Sequence, residues 1–130
     1  MSCFWDAIRS SLQANELEFL NLKRSCSPKD LINALKKHNK PCIRVVWNNV
    51  RLSRNNVREN FRWINEYNES GTNGHMTSTC DPFLCLLVEL FNFEIHHRYL
   101  KNTNIYTRID VKGNRIISFR SNQGHFSLGK

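Results

Sequence analysis

Apolar residues recur through the first half of the chain at the three-to-four-residue spacing of a helix. Phe4, Ala7, Ile8 and Ser11–Leu12 fall on one face, which predicts a helix from residues 2–3 to about 14. Leu31, Ile32 and Leu35 predict a second, with Ser27 as cap and Pro28 in the first turn, ending near 38–39 before Pro41. Residues 42–47 are rich in β-formers, with Val45, Val46 and Trp47 as the strand or extended core segment. Val57, Phe61 and Ile64, with Glu59 and Glu66 outside, predict a third helix over about 55–67. Ser70, Gly71 and Asn73 mark residues 69–73 as a loop. A fourth helix opens around 78–81, where Ser or Thr can cap, Asp81 suits the positive end and Pro82 the first turn. It carries Phe83, Leu86, Leu87, Leu90 and Phe91 inward.

After Asn92 the period changes from helix to strand. Residues 93–100, 105–111 and 115–120 predict three strands. Lys112-Gly113-Asn114 reads as the turn between the last two, with Gly113 free to take positive φ. Residues 121–124 read as a loop leading to His125-Phe126. Helices first and a mostly antiparallel sheet last is an α+β order: helices packed against one small sheet, in a single domain over 1–130.

Composition narrows the class. Of 130 residues, 40% are hydrophobic and 23% charged, which excludes a disordered chain. The longest apolar run, 83–90, is interrupted by Glu89 and is far short of a membrane span. Residues 1–12 contain Asp6 and Arg9 and no long apolar core, so no secretory signal is expected. Five cysteines, at 3, 26, 42, 80 and 85, form no CxxC pair. They read as reduced thiols in a cytoplasmic setting. Zinc wants four ligands at paired short spacings. Cys80 and Cys85 fit that demand only if forced together with His75, or with His96 and His97, so no metal is expected. The formal charge of +8 favours anionic partners without choosing among RNA, membranes and acidic proteins.

The candidate chemistry begins at Cys3. A cysteine in the first turn of a helix meets unpaired N–H groups and positive potential, which favour its thiolate. The same N–H groups can hold an oxyanion on an attacked carbonyl. A histidine must then take and return the proton, and His125, beside a predicted strand, is the candidate. Cys80, also at a helix start and with His75 nearby in sequence, is the rival nucleophile. His96 and His97 share a strand and point to opposite faces, one towards the core and one towards solvent.

Ser2-Cys3-Phe4-Trp5-Asp6-Ala7-Ile8 near the start, Asp81-Pro82-Phe83-Leu84 and residues 87–95 in the middle, and Ile116-Ile117-Ser118-Phe119 leading to Gly124-His125-Phe126 together resemble the ovarian-tumour (OTU) class of cysteine proteases. They resemble most the small versions found in RNA-virus polyproteins. The resemblance implies a papain-like, OTU-like fold with Cys3 as nucleophile and His125 as general base. It implies cleavage after the C-terminal glycines of ubiquitin or a ubiquitin-like protein, or cleavage of a viral polyprotein, in the host-cell cytoplasm and without a cofactor. Only Met1 and Ser2 precede Cys3 in this sequence, where the family carries an Asp-Gly-type loop; either that loop lies upstream of residue 1, or another donor such as the helix N–H groups holds the oxyanion. Two positions after the histidine stands Ser127 rather than Asn or Asp, leaving a dyad, or a third member in Ser127 or Asn122. The narrow ubiquitin tail implies a tight channel, expected near Trp5 and Phe126.

Two alternatives stand beside this. One is a basic RNA-binding module without chemistry. Arg44, Arg51, Arg54, Arg58 and Arg62 form a basic stretch, and Arg54, Arg58 and Arg62 share one helical face, which Lys36, Lys37 and Lys40 could extend. Trp47, Phe61, Trp63, Tyr67 and Phe83 read mainly as core, with stacking on single-stranded RNA as the functional option. The other is a catalytically inactive relative that still binds ubiquitin.

Overall fold

The computed structural model describes residues 3–68, 80–122 and 125–129. The first helix, α1 (Cys3–Ser11), buries Phe4, Ala7 and Ile8 of the apolar face read from its spacing, and Trp5 beside them. It ends earlier than the periodicity suggests because other groups take its last carbonyls. Ser11 Oγ donates to Ile8 O, and the Arg24 guanidinium donates to Arg9 O (2.8 Å) and Leu12 O (2.7 Å). Gln13 then caps a short α2 (Ala14–Phe19) that periodicity did not reveal. Asn21 closes it at φ 58°, where Asn is tolerated, with Leu22 N–H donating to Leu17 O and Asn21 N–H to Glu18 O.

Local chemistry accounts for the next helix starts as well. Ser27 accepts from Asp30 N–H while Asp30 accepts from Ser27 N–H, and Pro28 opens α3 (Pro28–Lys37). Ser53 caps α4 (Arg54–Glu66). Asp81, buried, caps α5 (Pro82–Leu90) by accepting from Leu84 N–H at 3.0 Å. The predicted loop at 69–73, with Ser78 and His75, lies outside the described residues.

The sheet has strand order β2-β1-β4-β3-β5-β6. Its strands are β1 (Val45–Trp47), β2 (Val50–Arg51), β3 (Glu94–Tyr99), β4 (Asn102–Arg108), β5 (Ile116–Asn122) and β6 (His125–Leu128). Asn48 and Asn49, at φ 51° and 69°, make the tight β1–β2 hairpin, a local signal that the sequence reading passed over. All pairings are antiparallel except β3–β5. The expected hairpin at 112–114 is therefore corrected: β3 lies between β4 and β5. Residues 109–115 instead pass across the start of β3. A Cβ on Gly113 would lie 2.9 Å from Glu94 N and 3.0 Å from Phe93 C, so glycine is required there by close approach and not by positive φ. Asn114 N–H donates to Asn92 O, and Glu94 N–H to Arg115 O, fastening the crossing.

Inward positions of the strands are buried (Val45, Ile95, Tyr106, Ile117, Phe119 and Phe126) and the helices cover that face. Two buried carboxylates tie the layers together. Glu89 on α5 accepts from Arg44 N–H (2.9 Å) and Arg44 Nε (2.6 Å), while Arg44 Nη2 reaches Glu89 O. Glu16 on α2 takes both terminal nitrogens of Arg115, whose guanidinium lies over the Phe93 ring. The chain is thus α+β: five helices, among the described residues, on one face of a six-stranded, mostly antiparallel sheet.

Candidate active site

Cys3 is the first described residue of α1 and is half-buried. The residues after it anchor the helix start. The Phe4 ring packs on Phe126 of β6 with centroids 4.7 Å apart. Trp5 sits edge-on to Phe4 and Phe83, each at 4.8 Å, and 6.0 Å from Tyr67. Burial raises the Tyr67 hydroxyl pKa, while a hydrogen bond with Trp5 opposes the shift. Trp5 is fully buried and Phe126 only 2% exposed. Both rings, expected near the substrate channel, are packed in the core.

β6 is an edge strand, joined to β5 by a hairpin whose Gln123 and Gly124 lie outside the described residues. Register pairs Asn122 with His125, Ser121 with Phe126, and Arg120 with Ser127. Phe126 and Ser121 are buried on the helix-covered face. By alternation, His125, Asn122 and Ser127 share the other face, and His125 is exposed. The fold therefore gathers His125 with both candidate orienting residues, and brings the helix opened by Cys3 onto the strand opened by His125. No hydrogen bond joins Cys3 to His125 among the described residues.

The histidine on the helix-covered face is His97. It is fully buried, with Nε2 2.6 Å from Ser121 Oγ and its ring 5.1 Å from Phe126. Its register partner on β4 is Asn104, whose Oδ1 accepts from Asn48 Nδ2. Ser121, His97 and Asn104 thus make a buried polar row across β5, β3 and β4. The sequence reading placed one of the His96–His97 pair inward but did not see this row. The signal was available: each of the three strands carries a polar residue at an inward, buried position. His96 is on the outer face, with Nε2 2.5 Å from Glu94 Oε2.

The rival thiol, Cys80, precedes the Asp81 cap, and Cys85 lies in the first turns of α5. These are the two positions at which a helix start is usually stapled by apolar side chains. Their sulfurs are 3.3 Å apart. Hydrogen bonding to Cys80 and then burial hold the Cys85 thiol well above its ordinary pKa. Burial, and then the Glu89 carboxylate, push the neighbouring Cys42 up to about 12. Both remain neutral thiols at physiological pH.

Of the basic stretch, Arg44 is committed to Glu89 and to Asp110, whereas Arg54, Arg58 and Arg62 are exposed along α4. Of the aromatics, Phe83 is buried, and Trp63, 42% exposed, packs on Tyr67 and Phe83. No cluster of three or more His, Cys, Asp or Glu residues among those described is arranged to hold a metal ion. No described helix is long and apolar enough to cross a membrane. The chain matches no protein-family model, no curated protein and no solved structure.

Proposed function

We propose that the chain is a cysteine protease of the papain-like, OTU type, of viral origin and acting in the host-cell cytoplasm. Its substrates are conjugates of ubiquitin or a ubiquitin-like protein, or a viral polyprotein. The observation that carries this is the docking of α1 on β6 through Phe4 and Phe126, which brings the elements opened by Cys3 and His125 together. The Cys3 thiolate attacks the carbonyl carbon after the substrate's C-terminal glycine, and helix N–H groups hold the oxyanion. The C–N bond breaks as His125 gives its proton to the leaving amine. His125 then takes a proton from water, whose oxygen displaces the thiolate and frees the acid. Since His125 begins β6 on the outer face, this chemistry requires its ring to reach round the strand end to Cys3. Asn122, the register partner of His125, and Ser127, two residues on, share its face, which supports their reading as orienting residues.

The test is covalent labelling by ubiquitin carrying a C-terminal electrophile. A single adduct is expected, lost in Cys3→Ala, kept in Cys80→Ala, and slowed about a hundredfold in His125→Ala. Loss only in Cys80→Ala would move the nucleophile to α5. An adduct insensitive to His125→Ala but lost in His97→Gln would move the base to the buried row.

The outward side of His125 favours a second reading, a binding module for RNA or an inactive relative that binds ubiquitin. No adduct on any form, with RNA or ubiquitin still bound, is its signature.

A further inference from the structure

At the edge of the sheet opposite β6, a groove of about 700 Å³ opens between the β1–β2 region and α4. Ile43, 60% exposed, with Val57 and Phe61 supplies an apolar floor, and Arg51, Arg54 and Arg58 form the rim. No Asp or Glu lines it. Arg51 Nη2 donates to Ile43 O at 3.0 Å, so one of the lining guanidiniums is held in place. Arg54 and Arg58 are one helical turn apart on α4 and both exposed, so their charges face the same space. The volume lies in the range of ordinary ligand clefts. An exposed aliphatic floor is costly to leave in water, and three rim cations without an acidic neighbour in the lining create a positive field over it.

We propose that this groove docks an acidic segment of a partner protein, in which aliphatic side chains alternate with Asp or Glu. The aliphatic groups fill the floor, and the carboxylates meet Arg51, Arg54 and Arg58. Bidentate guanidinium–carboxylate pairing fits this rim. A single-stranded RNA fits it less well. Sequence-tolerant RNA binding needs exposed aromatic faces for stacking, and the one aromatic lining the groove, Phe61, is half-buried in its floor. The groove and the α1–β6 region are at opposite sheet edges, so docking stands or falls independently of Cys3 chemistry.

Fluorescence anisotropy on the full chain tests this, with a labelled twelve-residue peptide of alternating Glu and Leu pairs as probe. Binding is expected to fall about tenfold or more in the Arg54→Glu, Arg58→Glu double variant. It is also expected to weaken about threefold to tenfold in Ile43→Ser, whose exposed side chain leaves the fold intact, with no change in salt dependence. Replacing the peptide's leucines by serine should abolish binding. Circular dichroism of each variant separates lost docking from lost folding. Absence of peptide binding, binding indifferent to Ile43→Ser, or tighter binding of a twelve-nucleotide oligouridine through the same arginines would each overturn the proposal.

Discussion

A buried carboxylate needs several hydrogen bonds at once to offset its lost hydration, and Glu89 receives them. Arg44 satisfies it from the backbone N–H, from Nε and, through the carbonyl, from Nη2, while Lys40 stands at 4.0 Å. Truncating the arginine removes the Nε and Nη2 hydrogen bonds and leaves a fully buried carboxylate with the backbone N–H of residue 44 and no closely paired side-chain cation, Lys40 being 4.0 Å away. Arg44→Ala is expected to cost about 3 kcal/mol in urea denaturation, and adding Glu89→Gln in that background should return part of the loss. The same residue shows how far sequence reading reaches. Arg44 counted there as one member of a basic surface stretch, because charge type is visible in a sequence but the partner, 45 positions away, is not.

Among the elements, the starts of the longer helices were legible, whereas short α2 and the strand connections were not. Ser27-Pro28 and Asp81-Pro82 act within one turn of chain, and the structure uses both pairs in that way. The segment 109–115 depends on which strand lies beside it. The Lys112-Gly113-Asn114 turn chemistry favoured a hairpin, but the parallel β3–β5 pair requires a crossing over the start of β3. Gly113→Ala places a methyl 2.9 Å from the Glu94 backbone nitrogen, where neither backbone can yield. Its expected cost is about 1–3 kcal/mol in chemical denaturation, with no change in helix content by circular dichroism. A substitution without loss would mean that the crossing is looser than its hydrogen bonds indicate.

For the whole molecule, the α1–β6 contact determines whether the two ends of the chain act together. Phe4 is 1% exposed and faces Phe126, so Phe4→Ala is expected to destabilise the fold by about 3–5 kcal/mol, measured by denaturant unfolding. Phe4→Leu should lose much less. If the docking assembles the active site, ubiquitin labelling should slow in Phe4→Ala under conditions where the variant is still folded. The α+β class, the capped starts of α3 and α5 and the opposite orientation of His96 and His97 were determined by the sequence alone, because periodicity and capping are local physics. Only the tertiary structure decided that His97 is the inward member, resting beside Ser121 and Phe126, and that His125 shares the outer face with Asn122 and Ser127. A two-residue period divides a strand's side chains between two faces, but which face the helices cover depends on strand order and register across the whole sheet.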